Sequence, residues 1–196
     1  MLKTKLWLLP LLWLAANAAQ AAAPERMQIC YRYGCKADTY VNVDAGTRAR
    51  LQALFQHINS AAAERDAVRD AVQQLYLNAG AQSPIYQDKG GNFRDGLAEG
   101  RMDCADHSTN TTTFLNYLAA QGWLRFHRVL EPVLRSRFLI FAHYSALIEQ
   151  TDEIDAATPV EERRYVVDSW FFDNGHPAVV MPLARWQSGE SPNENE

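Results

Sequence analysis

The chain has 196 residues, 47% of them hydrophobic, with 19 Lys and Arg against 23 Asp and Glu. That length fits one domain of ordinary size, large enough to bury a real core with disulfides only as a supplement. A formal net charge of −4 with no dense Lys/Arg cluster argues against nucleic acid or anionic lipid as the main partner.

The chain opens on "MLKTKLWLLPLLWLAANAAQAAAPE". Lys3 and Lys5 give a basic start, Leu6 to Ala16 an apolar run of 11 residues, and Ala-x-Ala patterns end at Ala21 and Ala23. This is the layout of a secretory signal peptide. The run falls well short of the ~20 residues a spanning helix needs, and nothing later could span a membrane. Cutting after Ala23 would leave Pro24 directly at the new terminus, so cleavage is expected after Ala21. It removes two lysines and no acid, moving the net charge to −6. The expected organisation is a signal peptide at 1–21, one domain at 22–186 and a disordered polar tail at 187–196.

Residues 24–43 read as a short extended or hairpin segment carrying "CYRYGC" at 30–35. Export implies an oxidising compartment, periplasmic or extracellular. A disulfide between Cys30 and Cys35, with Gly34 available for a turn, is geometrically easy. It would leave the third cysteine, Cys104, unpaired, and such a thiol in an exported protein is either deeply buried or reactive. The other pairing, with Cys104 bridged to one of the first two, would remove the free thiol.

Helical spacing follows at 47–59, with Leu51, Leu54, Phe55 and Ile58 on one face and Thr47 as N-cap, and at 61–79, with Val68, Ala71, Val72, Leu75, Tyr76 and Ala79, stopped by Gly80. Residues 79–103 are rich in Gly, Asp and Asn and read as a long surface loop. Its "DKGGNFRDGLAE" (88–99) matches a calcium loop weakly, with Asp88, Asn92 and Glu99 at suitable offsets but Gly90 and Phe93 at wrong ones.

Next comes "DCADHSTNTTTFLNYLAAQG" (103–122). Asp103 suits an N-cap, with Asp106 three residues on as a capping-box acid, so Cys104 opens a helix that Gly122 ends. Strands are expected at 123–130, 137–149 and 164–172, the last two as an antiparallel hairpin, then a short element near 178–186. Helices followed by an antiparallel sheet make an α+β domain.

Two polar residues stand inside these apolar strands: His143 in "LIFAHYSAL" and Asp168 in "YVVDSWFF". A carboxylate in such a run needs a partner, and an imidazole on the neighbouring strand supplies one. A helix N-terminus favours a thiolate at Cys104. His143 would accept the thiol proton, Asp168 would orient the imidazole, and the backbone N–H at the helix start would face an oxyanion. The plainer readings are a buried small hydrophobe for Cys104, a satisfied core histidine for His143 and a strand-capping acid for Asp168. His107, one turn from Cys104, reads as an exposed helix-face histidine that could also tune the thiol or touch substrate. A zinc site of Cys104, His107 and His143 is a rival without a second Cys or His pair to complete it. His127 and His176 read as structural or surface residues, Trp170 as a core or rim aromatic open to substrate, and "NTT" at 110–112 as a glycosylation pattern inside a helix.

"MDCADHS", then a histidine in an aromatic strand, then "VVDSWF", resembles the transglutaminase-like superfamily of papain-type cysteine enzymes over about residues 70–175. "DCADHS" in particular is similar to the bacterial transglutaminase-like cysteine proteinases, which are periplasmic. The resemblance implies a nucleophile helix packed on an antiparallel sheet, with Cys104 as nucleophile, His143 as base and Asp168 as orienting acid. It also implies calcium held by acids flanking the cysteine. Asp103 and Asp106 match that pattern, and Ala105 stands where it carries a further acid. Two other departures are Tyr144 after the histidine and the lack of a glutamine just ahead of Cys104 as oxyanion donor. The expected activity is acyl transfer through a thioester, first of all hydrolysis of an amide, with transfer to another acceptor open, on a protein, peptide, peptidoglycan cross-peptide or small amide, by a monomer with no obligatory cofactor. The rival from another class is a non-catalytic envelope-interaction module of the same fold.

Overall fold

The computed structural model describes residues 26–91, 94–137, 141–151 and 158–192. The expected signal peptide at 1–21 and the end of the expected tail, 193–196, lie outside the described residues. The domain is α+β, with four α-helices and two antiparallel sheets among the described residues.

Strands β1 (Arg26–Tyr31) and β2 (Ala37–Asn42) form the N-terminal hairpin, with Met27 opposite Val41 and Ile29 opposite Thr39. The Cys30–Cys35 disulfide closes its turn, and Cys104 is free. Helix α1 (Ala45–Phe55) starts ahead of Thr47 because Asp44 caps it, accepting the Thr47 N–H at 2.9 Å. It stops at Phe55, so Ile58 packs from beyond its end. Helix α2 (Ala61–Gly80), capped by Ser60, buries Val68, Ala71, Val72, Leu75, Tyr76 and Ala79, the face expected from spacing.

The stretch expected as a surface loop, 79–103, exposes Tyr86 and Leu97 but sends several other residues into the interior. A 3-10 turn, Pro84–Gln87, buries Ile85, and Asp88 and Met102 are buried beyond it. Two glycines permit this. A Cβ on Gly100 would lie 1.8 Å from the Pro84 carbonyl oxygen, and one on Gly90 2.4 Å from that of Phe171. Composition flagged the irregular backbone here but not its burial.

Helix α3 (Cys104–Ala120) carries the free thiol at its first position, and Gly122 follows it in the left-handed conformation at φ +73°. The main sheet runs β3 (His127–Arg137), β4 (Phe141–Gln150), β5 (Arg164–Asp168), β6 (Val179–Pro182), in that order and antiparallel throughout. Residues 123–126 are not strand, because the buried Glu64 carboxylate takes the Arg125 and Phe126 N–H groups at 2.7 and 3.0 Å. The same carboxylate holds the buried His127 Nδ1 at 2.9 Å. Strand β5 ends at 168 instead of 172, since the Asp168 side chain turns back to accept the Trp170 N–H at 3.1 Å. Past β6, helix α4 (Leu183–Gln187) is continued by bonds from the N–H groups of Ser188, Gly189 and Glu190 to α4 carbonyls. Pro192 joins Arg69, Phe172 and the exposed His176 on a cavity of about 390 Å³. Residues 188–190 are hydrogen-bonded to α4, and the Glu190 carbonyl accepts from Arg135 at 3.1 Å.

The larger apolar cluster joins α2, α3 and the first hairpin to one face of the sheet through Leu75, Phe114, Leu115, Leu118, Ala146, Ile148 and Val167. The smaller one covers the opposite face with Leu147, Val166, Met181, Leu183 and Trp186. No helix among the described residues is long and apolar enough to cross a membrane.

Glu64 joins α2 to the start of the sheet, and removing it strands two backbone donors and an imidazole in the core. Glu64→Ala should lower unfolding free energy by about 3–5 kcal/mol, read by urea titration.

Candidate active site

Asp103 is the N-cap of α3, its carboxylate accepting the Ala105 and Asp106 N–H groups at 3.0 and 2.9 Å. Asp106 answers by accepting the Asp103 N–H at 3.2 Å, completing a capping box. Asp106 also accepts the N–H groups of Tyr33, at 2.8 Å, and of Cys35. Burial pushes its carboxyl above the ordinary range, against the pull of those donors. Both acids expected as calcium ligands thus direct their oxygens at backbone donors. Among the described residues no group of three or more His, Cys, Asp or Glu side chains is arranged to hold a metal ion.

His143 and Asp168 meet as their strands predict: His143 Nε2 lies 2.7 Å from Asp168 Oδ2, and both residues are buried. Strand alternation puts His143 and Leu147 on the same face of β4, which is the face of the smaller cluster and not the one α3 covers. The thiol reaches the pair at the sheet edge. β5 pairs with β4 only over residues 146–149, and Cys104 Sγ lies 3.9 Å from the carbonyl oxygen of Ala142, past that pairing. Ala142 is the residue before His143, so the thiol sits at the backbone next to the imidazole, and Cys104 adds to the pull that keeps the ring charged. Since Asp168 takes Nε2, Nδ1 is the nitrogen left for the thiol.

Aromatic rings enclose the imidazole. Trp170, Phe171 and Trp186 stand 4.7, 5.6 and 5.6 Å from it, centroid to centroid. Trp186 also donates its indole N–H to Asp168 Oδ2 at 2.9 Å and carries the Arg135 guanidinium on its ring. Burial of the ring disfavours its charge, but the hydrogen bonds and charges of Asp168 and Cys104 together outweigh it and hold His143 up at about 9.

His107 does not join this group. It is buried, not the exposed helix-face residue expected, with Nε2 2.9 Å from Asp88 Oδ2 and Nδ1 2.8 Å from Ser169 Oγ. With both ring nitrogens engaged, it forms no metal site with Cys104 and His143. Asp88, the expected head of a calcium loop, accepts the Met102 N–H through its other oxygen, and Asn92 lies outside the described residues. Asn110, the glycosylation candidate, is fully buried and pairs its amide with the Cys30 N–H and carbonyl at 2.7 and 2.8 Å. Nothing in the local sequence marks Trp186 or Ser169 as part of this group. Trp186 lies in a short C-terminal helix with no pattern to mark it, and Ser169 does no more than follow Asp168.

Comparison with known proteins adds no relative: no family model, no curated protein and no solved structure matches the chain.

Because His143 is charged in the fold up to about 9, against about 6.5 for an unperturbed histidine, its contribution to stability is complete below pH 6.5. It is lost as pH rises through about 9. Urea unfolding should show stability falling across that window. In Asp168→Asn the His143 resonance, followed by NMR, should titrate at lower pH than in the wild type.

Proposed function

We propose that the protein is a cysteine-dependent acyl-transfer enzyme of transglutaminase-like type, exported to an oxidising compartment and hydrolysing an amide or peptide bond. The observation that carries this reading is His143 Nε2 held by Asp168 Oδ2 at 2.7 Å, with Cys104 Sγ 3.9 Å from the carbonyl oxygen of Ala142, the residue before that histidine. The fold reading is supported by a cysteine opening a helix that packs on an antiparallel sheet, with His143 and Asp168 on adjacent strands. Export is supported by the leader composition and by the disulfide.

In the first half-reaction His143 already carries the proton on Nδ1, as its charged state in the fold requires, and the Cys104 thiolate attacks the substrate carbonyl carbon. The carbonyl π electrons move onto oxygen, and the Cys104 backbone N–H at the helix start is a donor to that oxyanion. The oxyanion then collapses, the C–N bond breaks, and His143 gives its proton to the leaving amine, leaving a thioester. Water attacks the thioester carbon and gives its proton to the now neutral His143, the C–S bond breaks, the acid leaves, and the thiolate is left beside the protonated imidazole. Asp168 fixes the ring and its charged form, while Trp186 and Trp170 hold the carboxylate through N–H donors. The substrates this chemistry admits are proteins, peptides and peptidoglycan cross-peptides.

Wild-type protein should be labelled at one cysteine by an iodoacetamide probe and should cleave a library of peptide and cross-peptide amides. Cys104→Ala should lose both properties, and His143→Ala should lower turnover by about 10²–10⁴. Equal cleavage by the wild type and Cys104→Ala would overturn the reading.

A further inference from the structure

Behind the thiol lies a second chain of polar side chains that the chemistry above does not use. Asp88 holds His107, and His107 Nδ1 meets Ser169 Oγ. That oxygen also lies 2.9 Å from Thr111 Oγ1 and 3.0 Å from the Tyr76 hydroxyl, which itself is 3.1 Å from Thr111 Oγ1. Asp88, His107, Thr111 and Tyr76 are all buried. Polar groups in such a place give little net stability compared with apolar side chains of the same shape, so their arrangement needs another account.

The account lies in what the network connects. His107 follows Cys104 by three residues, nearly one turn of α3. Ser169 is joined to Asp168 by one peptide bond. The hydrogen bond from His107 to Ser169 therefore spans the two elements that the thiol and the orienting carboxylate come from. α3 covers one face of the sheet, whereas Asp168 and His143 occupy the other. Apolar packing between α3 and the sheet is non-directional and permits sliding, while a hydrogen bond fixes a distance within a few tenths of an ångström. Asp88, gripped by the Met102 N–H at 2.6 Å, fixes the His107 ring from behind.

We propose that His107 and Ser169 are positioning residues, a bracket that holds the end of β5 against α3 so that Asp168, through His143, meets Cys104. The proposal rests on the acyl-transfer reading of the site. A displacement of about 1 Å at a reacting pair can cost about 100-fold in rate, so loosening the bracket acts on chemistry before it acts on the fold.

The test is the pH profile of Cys104 alkylation by iodoacetamide, which needs no substrate, in the full chain with its disulfide intact. The readout is the rate at pH 6 divided by the rate at pH 10. Ser169→Ala removes one oxygen and leaves His107, Tyr76 and Thr111 near enough to bond one another, so it is the deciding variant, with thermal melting to confirm that it is folded. Its ratio should fall about tenfold or more, toward that of His143→Ala. His107→Leu should do the same, and His107→Asn, which restores a polar group at the Nδ1 position, should recover part of the loss. A Ser169→Ala profile that superimposes on the wild type overturns the bracket, whatever the change in melting temperature. A wild-type ratio equal to that of His143→Ala overturns the acyl-transfer reading itself, and the bracket with it.

Discussion

The Asp106 carboxylate accepts backbone N–H groups from two parts of the chain: Asp103, at the start of its own helix, and Tyr33 and Cys35, in the disulfide-closed turn. The rest of the site depends on this joint. Residues 32–35 run through four consecutive left-handed conformations, and Arg32, Tyr33 and Cys35 are not glycine. Each non-glycine residue so placed carries a strain of order 1–3 kcal/mol. The turn persists because the disulfide, the Asp106 carboxylate and the Asn110 amide hold it from three sides. Hairpin and helix start are thus one unit, and the thiol at the first position of α3 is located by both.

A second carboxylate couples fold to chemistry in the same way. Asp168 ends β5 with one oxygen, by accepting the Trp170 N–H, and holds His143 and Trp186 with the other. Ending the strand there exposes the edge of β4 beside Ala142, which is where Cys104 arrives. Had β5 run on to 172, as its apolar text suggests, a paired strand would have occupied that edge. The same turn brings Trp170 and Phe171 over the imidazole, and Trp186 closes the other side. Excluding water in this way strengthens each charge interaction inside.

Much of the architecture was legible before any coordinates. Helical periodicity located α2, the capping pair Asp103 and Asp106 located the start of α3, and two polar residues in apolar strands announced a buried pair. Three shifted element boundaries share one physical source. Strand β3 begins at His127, β5 ends at Asp168 and α1 begins under Asp44, in each case because a carboxylate takes backbone donors. For Glu64 that carboxylate lies 61 residues away in the chain, a distance no local pattern registers.

By itself the sequence determined the residue types and their order: a cysteine at a helix start, then a histidine and an aspartate on successive strands, with two cysteines ahead of them whose pairing the fold decided. Hydrophobic period and capping chemistry act over a few residues, so local text carries them. Tertiary structure alone decided which polar residues face one another. It turned His107 away from the thiol to Asp88 and Ser169, took Asp106 for the disulfide turn, and brought Trp186 from the last helix onto Asp168. A buried polar group takes whatever partner the packed chain places within about 3 Å, and that partner is set by the whole fold.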